Sequence, residues 1–266
     1  MLTLLPSTYS EHKTRMSRRT KNLKQLSKLF TDEEFFNEGN FVVKAIIFDL
    51  DGTLVDSAPD LIAAMNHTAV RYGLEPLTPE TYGAAPGKGG LAMLSSLISG
   101  QPHAVELQNQ DQFIADFRAF YAQCHTDNTQ MFQGVETCLK QLRLEGCMIA
   151  VCTNKPEPYA SEVCKAVGLD NLTDIIVGRT PQLPPKPAPD MVAKCYRDLP
   201  KTFSEALFVG DSPADQMAAS DFGIPFMLYE KGYVAKEVSN PTHSFYDYLE
   251  PQLASRMMKA ATSISS

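Results

Sequence analysis

Residues that could do chemistry stand directly after three short apolar runs of this 266-residue sequence. Asp49 and Asp51 follow the first run, Thr153 follows the second and Asp211 follows the third, while Lys186 lies in a proline-rich loop. A carboxylate at the end of an apolar strand is costly to bury without a partner. If the runs are parallel strands, their carboxyl ends share one edge of a sheet, which is where such sheets bind ligands. We therefore expect these side chains to form one site.

Short β-rich apolar runs alternate with helix-like segments from Val42 onward. The first predicted helix begins at Ser57, with Asp60 completing a capping box, and ends at Gly73. Repeated strand–helix units with short connections predict an α/β fold, a doubly wound parallel sheet covered by helices on both faces. The predicted strands are 42–48, 147–152, 174–177, 206–209 and 225–229, and the predicted helices are 134–144, 157–167, 190–197 and 213–222.

Residues 74–129 depart from this alternation, because they contain helix-like segments at 91–98 and 111–125 and no convincing strand. The pattern predicts a smaller all-helical domain over 57–129. That domain is inserted into an α/β core made of 41–56 and 130–266.

The first 40 residues are predicted to be a poorly ordered basic extension outside the fold. Within residues 1–30, seven basic residues accompany one acidic residue, although the whole chain carries a net charge of −7. A solvated tail, an upstream start codon, a transit peptide and a basic arm are the interpretations left open.

The composition, 44% hydrophobic and 21% charged, is typical of a soluble globular protein. No apolar run approaches the roughly 18 residues of a membrane helix, and six cysteines without a CxxC pair fit a reducing cytoplasm. An acidic body lacks the positive charge that nucleic-acid backbones need. We expect a small phosphorylated metabolite as partner rather than nucleic acid or a membrane, and the chain is expected to be a monomer or a homodimer.

Four motifs of this sequence resemble those of the haloacid dehalogenase superfamily, and the resemblance covers residues 42–230. The stretch 49–57, Asp-Leu-Asp-Gly-Thr-Leu-Val-Asp-Ser, resembles the first motif. Thr153 stands for the second, Lys186 for the third, and 210–215, Gly-Asp-Ser-Pro-Ala-Asp, for the fourth. The stretches 57–60 and 151–156 are most similar to the phosphoglycolate phosphatase branch. This resemblance implies a Rossmann-like core with a helical cap inserted after the first motif.

The resemblance also implies catalytic roles in hydrolysis of a phosphate monoester. Asp49 is the expected nucleophile, forming an aspartyl-phosphate intermediate. Asp51 is the expected general acid toward the leaving oxygen and then the general base for the attacking water. Lys186 is expected to neutralise the nucleophile and the phosphoryl oxygens, and Thr153 to donate a hydrogen bond to them.

A metal is predicted because several carboxylates and a phosphate converge at this site, and without a cation these negative charges would repel one another. Like unit charges 4 Å apart repel by roughly 4 kcal/mol at an effective dielectric near 20. All-oxygen ligation suits Mg²⁺, and the resemblance assigns it to the carboxylates of Asp49 and Asp211 and the backbone carbonyl of Asp51. Asp215 is either a further ligand or a residue that orients the ligands.

Substrate binding is predicted for Gly52, Thr53 and Asn154 near the phosphate, and for Lys88 in a glycine-rich stretch of the helical insertion. The favoured substrate is 2-phosphoglycolate, with a phosphosugar second and phosphoglucomutase-type transfer as a further alternative. Dehalogenase and phosphonatase chemistry are disfavoured because those branches usually lack the aspartate at position 51. A binding or regulatory protein on the same fold is the alternative from another class.

Overall fold

The structure is a computed structural model that describes residues 43–83, 85–101, 109–200, 203 and 205–263. The predicted basic extension over 1–40 lies outside the described residues. None of the helices in the described part of the chain is long and apolar enough to cross a membrane.

A mixed sheet forms the centre of the fold, and all but one of its strands are parallel. Its strands are β1 (Lys44–Phe48), β4 (Met148–Pro156), β5 (Ile175–Arg179), β6 (Glu205–Gly210), β7 (Phe226–Tyr229), β8 (His243–Phe245) and β9 (Thr262–Ser263). The parallel strands lie in the order β5-β4-β1-β6-β7-β8, and the short β9 pairs antiparallel with β6. The order reverses at β1, so the predicted doubly wound sheet is the one observed.

Register places the predicted chemistry at one edge of this sheet. Phe48 of β1 pairs with Val151 on one side and Val209 on the other. The next residue, Asp49, continues the ladder by donating its amide to the Val209 carbonyl over 2.9 Å. The ends of β4 and β6 therefore flank the end of β1.

Alternating residues of β1 build a core on each face of the sheet. Ile46 and Phe48 pack on one face, against α6 (Val135–Leu144) and α10 (Leu253–Ala260). Ala45 and Ile47 pack on the other face, against α8 (Asp190–Asp198) and α9 (Pro213–Phe222). All four side chains are fully buried, as the period of two in a strand covered on both faces requires. The remaining helix beside the sheet is α7 (Tyr159–Ala166).

A helical region stands between two short strands, β2 (Val55–Asp56) and β3 (Gln130–Met131), which pair antiparallel. Its helices are α1 (Ala58–Arg71), α2 (Pro79–Tyr82), α3 (Ala85–Lys88), α4 (Gly90–Ser99) and α5 (Gln110–Cys124). Met65, Met93 and Phe113 are buried in an apolar cluster that belongs to this region. The β2–β3 pair thus holds together the segment that enters the helical region and the segment that leaves it.

The capping box predicted at Ser57 and Asp60 is wrong. Ser57 makes no side-chain capping bond; instead its hydroxyl donates to Asp51. The buried Asp60 carboxylate accepts the backbone amides of Asn128 and Thr129, each at 2.9 Å. A tertiary contact with the loop before β3 has replaced the local one.

The strand predicted over 147–152 is too short, since β4 continues to Pro156. Thr153 and Asn154 therefore lie within the extended end of a strand. Seven further elements of the described residues were not predicted, because their sequence patterns are too short or too irregular: β2, β3, β8, β9, α2, α3 and α10.

Candidate functional site

Asp49 is the centre of the cluster at the sheet edge. Its side-chain atom Oδ1 lies 2.8 Å from Lys186 Nζ, yet this buried oxygen has no partner in hydrogen-bond geometry. Burial raises the pKa of Asp49 to about 7, against the opposing influence of the Lys186 ammonium. The carboxylate is thus costly to keep charged and has bonding capacity left for another positive group.

Lys186 is held in place from both its ends. Its Nζ lies 2.6 Å from Asp215 Oδ1 and donates to the Cys152 carbonyl over 2.7 Å. Burial disfavours the ammonium, but the charges of Asp215 and Asp49 outweigh it and raise the pKa of Lys186. Asn154 clamps the backbone of Lys186 by one donated and one accepted bond, each 2.9 Å. The predicted phosphate ligand Asn154 thus uses its side chain to position Lys186.

Three carboxylates, those of Asp49, Asp211 and Asp215, place ligand atoms within 4.8 Å of one another, and all three are buried. Burial, together with the charges of Asp215 and Asp49, raises the pKa of Asp211 well above its usual range. Asp215 Oδ2 accepts the amides of Asp211 and Ser212, at 3.2 and 3.0 Å. An all-oxygen donor set of three buried carboxylates fits a hard divalent cation.

Asp51 meets a partner that the sequence analysis missed. The Nζ of Lys155 lies 2.9 Å from Oδ1 and 3.2 Å from Oδ2 of Asp51, and it donates to the Tyr121 hydroxyl over 2.7 Å. The Ser57 hydroxyl donates to Asp51 Oδ1 over 2.5 Å. Burial lowers the pKa of Lys155, but the Asp51 charge and the Tyr121 hydroxyl outweigh it, and the net shift is upward.

Lys155 reaches the site because β4 extends beyond Cys152. Alternate residues of a strand share a face, and β4 ends with Thr153 buried, Asn154 exposed and Lys155 buried. Placing the end of the strand at Cys152 hid this alternation.

The other residues predicted near the phosphate lie around the same cluster. Thr153 is buried, and its hydroxyl accepts the Lys155 amide over 3.1 Å. The Thr53 hydroxyl donates to Asp211 Oδ1 over 3.4 Å. Gly52 has a φ of +82°, and a Cβ built there would lie 2.7 Å from Asp211 Oδ2. Glycine is therefore required at position 52 both by its conformation and by the available space.

Tyr233 is a second missed residue, and it supplies the cap that Ser57 does not. Its hydroxyl donates to Asp56 Oδ1 over 2.7 Å and accepts the amides of Ser57 and Ala58, at 2.7 and 2.9 Å. Burial raises the pKa of Tyr233, so the hydroxyl stays protonated. No local pattern could have predicted a cap from a residue so distant in sequence.

A cavity of about 580 Å³ lies between the cluster and the helical region. Asp49, Asp51 and Lys186 line its inner end, and Lys88 lines the helical side. The Lys88 Nζ lies 2.7 Å from Glu237 Oε1, with both side chains almost half exposed. The structure thus places Lys88 on the cavity, as a substrate contact would be, but already paired.

The matches to known proteins agree with this arrangement. The family model of the haloacid dehalogenase-like hydrolases matches residues 46–229. A phosphoglycolate phosphatase of Cereibacter sphaeroides is 32% identical over 220 residues, which cover 80% of this chain and 98% of that protein. One of Caulobacter vibrioides is 30% identical over 207 residues, covering 76% of this chain and 87% of that protein.

Solved structures show the same fold. The crystal structure of a predicted phosphoglycolate phosphatase from Haemophilus somnus matches with a TM-score of 0.65 and 25% identity, covering 77% of this chain and 95% of that one. CbbY from Rhodobacter sphaeroides, solved in complex with phosphate, matches in fold with a TM-score of 0.61 at 21% identity, covering 78% of this chain and 96% of that one. The fold class and the family resemblance predicted from the sequence are confirmed, and the chain belongs to the haloacid dehalogenase-like hydrolases.

Proposed function

We propose that this hydrolase is a Mg²⁺-dependent phosphatase that cleaves a small phosphate monoester, with 2-phosphoglycolate as the favoured substrate. The observation that carries the proposal is the Asp49 carboxylate, buried at the end of β1 beside Lys186 and Asp211, with one oxygen left without a hydrogen bond. A carboxylate oxygen in this position is free to attack phosphorus as a nucleophile, and its negative charge requires a counter-ion. The relatives named phosphoglycolate phosphatase support the choice of reaction.

Asp49 and Asp211 are the residues that we expect to hold the cation, together with the backbone carbonyl of Asp51. Mg²⁺ bound there would supply positive charge against the phosphoryl oxygens of the substrate. Asp215 fits the role of an orienting residue better than that of a ligand. Both of its oxygens are engaged already, by Lys186 and by the amides of the loop after β6.

The chemistry then runs through the side chains of this chain. An Asp49 oxygen bonds to phosphorus as the ester P–O bond breaks, and Asp51 gives a proton to the leaving oxygen. Water next attacks the aspartyl-phosphate, Asp51 takes its proton, and phosphate leaves with Asp49 restored. Lys186 stabilises the charge on Asp49 and on the phosphoryl group throughout. Thr153 and the backbone near Gly52, Thr53 and Asn154 are the proposed phosphate-binding groups.

The helical region over 57–129 is proposed to be a cap that covers the cavity and excludes water during the reaction. Residues 41–56 and 130–266 make up the catalytic core. Of the six cysteines, which are all free thiols, five are buried. These thiols suit a reducing compartment, and we propose the cytoplasm.

A phosphosugar is the second candidate substrate, favoured by the size of the cavity. About 580 Å³ is more space than a two-carbon acid needs, and Arg118 and Arg179 line the cavity as well. A mutant of CbbY, which matches in fold at 21% identity, has been solved with xylulose-(1,5)bisphosphate. Phosphoryl transfer to an acceptor, as in a mutase, would use the same residues.

Phosphate release from a panel of esters tests these proposals. The panel contains 2-phosphoglycolate, glucose 6-phosphate and glucose 1-phosphate, each with Mg²⁺ and with EDTA. We expect release without an added acceptor, highest with 2-phosphoglycolate and lost with EDTA. The Asp49→Asn variant should lose about a thousandfold or more. Asp221→Asn, an exposed aspartate on α9, is the matched control and should keep full activity.

Each alternative has its own signature in the same assay. Glucose 6-phosphate as the best ester favours the phosphosugar phosphatase. Interconversion of the two glucose phosphates without net release favours the mutase. Unchanged turnover in the Asp49→Asn variant would contradict the nucleophile assignment.

A further inference from the structure

We infer that Lys155 and Tyr121 form a binding subsite for a carboxylate on the leaving group of the substrate, and that the substrate class is therefore the phosphate esters of small 2-hydroxy acids. This inference rests on the proposed phosphatase function. It differs from the sequence-based expectation, in which Lys88 was the predicted substrate contact away from the phosphate.

Both side chains line the cavity and come from opposite sides of it. Lys155 lies near the end of β4 in the core, and Tyr121 lies in the last turn of α5 in the helical region. They are 7% and 6% exposed, and the Lys155 Nζ lies 2.7 Å from the Tyr121 hydroxyl oxygen. A ligand between them would be largely withdrawn from water, where charge-assisted hydrogen bonds are strong.

The two groups have hydrogen-bond donors to spare. An ammonium has three N–H donors. Lys155 directs its donors to two partner groups, the Asp51 carboxylate and the Tyr121 hydroxyl. If the two Asp51 oxygens share one N–H donor and the Tyr121 hydroxyl accepts a second, the third N–H donor of Lys155 is free. The Tyr121 hydroxyl accepts from Lys155, and within the described residues it donates to no acceptor. Two donors can therefore converge on one carboxylate.

The position beside Asp51 selects the kind of substrate. Asp51 is the group proposed to protonate the leaving oxygen, so that oxygen must come close to it. In 2-phosphoglycolate a single carbon separates the leaving oxygen from the carboxylate. The carboxylate must then lie within a few ångströms of Asp51, where Lys155 Nζ is already 2.9 Å from Asp51 Oδ1.

The other lysines on the cavity are less suited to this role. Lys186 is shared between Asp49 and Asp215 and faces the phosphoryl end. Lys88 is paired with Glu237 and is 47% exposed, so its attraction for a carboxylate is screened by water. An anionic group further from the leaving oxygen would instead meet Arg118 or Arg179.

The test compares two esters that differ only in the carboxylate, 2-phosphoglycolate and ethyl phosphate. The measured quantity is the ratio of their kcat/KM values in the full chain and in Lys155→Met. Any effect of Lys155 on Asp51 changes both esters alike and cancels in this ratio. We expect the ratio to fall about 10-fold to 100-fold, through KM for 2-phosphoglycolate, since a charge-assisted bond is lost.

Two further variants control this comparison. Tyr121→Phe, which removes only a hydroxyl and keeps the ring, should lower the ratio several-fold even if Lys155→Met proves unstable. Lys165→Met removes an exposed lysine of α7 and should leave the ratio unchanged. An equal loss for both esters in Lys155→Met, or a fall in the ratio with Lys88→Met instead, would overturn the subsite.

Binding separates this inference from the proposed function. Calorimetry of both esters is done with Asp49→Asn and with Asp49→Asn/Lys155→Met. If the unmodified protein hydrolyses neither ester, only the phosphatase proposal fails. The subsite still stands if 2-phosphoglycolate binds more tightly than ethyl phosphate and loses that advantage in the double variant. No binding, or an advantage that survives the double variant, overturns it.

Discussion

The two ends of the cavity contain the same kind of ion pair in opposite surroundings. At the inner end, the Lys186 side chain is 2% exposed and lies between Asp49 and Asp215. At the outer rim, the Lys88 side chain is 47% exposed and pairs with Glu237. Attraction between unit charges grows several-fold as the effective dielectric falls from that of water to that of a protein interior. Lys186 is therefore tightly constrained by its two carboxylates, whereas Lys88 can exchange Glu237 for water or a ligand.

The elements behind the two ends explain the difference. The inner end is made by residues that directly follow β1 and β6 and by the loop that Asn154 clamps onto β4. The rim is made by the end of α3 in the helical region and by a short 3-10 helix, Ala235–Glu237. Strand ends in a parallel sheet have fixed spacing, so they suit chemistry that needs fixed charges. The rim pair instead joins a short helix of the helical region to a 3-10 helix that follows β7.

Lys186→Met should have the largest effect on stability, because it leaves the buried carboxylates of Asp49 and Asp215 without the lysine ammonium between them. We expect the free energy of unfolding, measured by urea titration at neutral pH, to fall by about 3–5 kcal/mol. Methionine keeps most of the side-chain volume, so the loss reports charge rather than packing. A variant as stable as the parent would mean that the two carboxylates do not depend on Lys186.

Gly52→Ala comes next, and Gly168→Ala is its matched control. The two glycines have similar φ angles, +82° and +80°, but a Cβ meets Asp211 and Tyr233 only at Gly52 and nothing within 4 Å at Gly168. The left-handed conformation costs alanine about 1–2 kcal/mol at either site, and the clash adds about 1–3 kcal/mol at position 52. The difference between the two variants in urea unfolding measures the clash, and equal losses would show that Asp211 and Tyr233 move aside freely.

Tyr233→Phe tests the long-range cap at the entry to the helical region. Loss of the hydroxyl removes the acceptor of the Ser57 amide and leaves the Ala58 amide with the Asp56 carboxylate alone. We expect a loss of about 1–3 kcal/mol in the free energy of unfolding. Tyr246→Phe, at an exposed tyrosine, should change it by less than about 0.5 kcal/mol. Similar small values for both variants would argue against Tyr233 as the cap.

Lys88→Met should have the smallest effect. A half-exposed ion pair contributes about 0–1 kcal/mol, and salt should screen most of that. A double-mutant cycle with Glu237→Gln at low and high salt measures the coupling energy. A coupling above about 2 kcal/mol that persists in high salt would mean that the rim is as rigid as the inner end.

Much of the inner end could be predicted because it depends on short-range order. Asp49 and Asp211 each lie within two residues of a strand end, and parallel pairing in register brings strand ends together. The prediction required only the strands and their direction.

Lys155 and Tyr233 could not be placed in the same way. Lys155 was missed because the apolar pattern stops at Cys152, whereas hydrogen bonds to β5 carry β4 on to Pro156. Tyr233 reaches the start of α1 from a loop far along the chain. At Ser57 and Asp60 a local capping pattern predicted one arrangement, and contacts with Asp51 and with Asn128 and Thr129 replaced it.

The amino-acid order alone determined the alternation of strands and helices, and with it the edge of the sheet where the carboxylates of Asp49 and Asp211 and the ammonium of Lys186 gather. Only the tertiary structure decided what each of these groups touches and which other residues join them. Backbone pairing repeats at short intervals and leaves a trace in the sequence. The pairing of Lys155 with Asp51 and Tyr121 depends on side chains brought together by the packing of two separate regions, and no spacing along the chain records it.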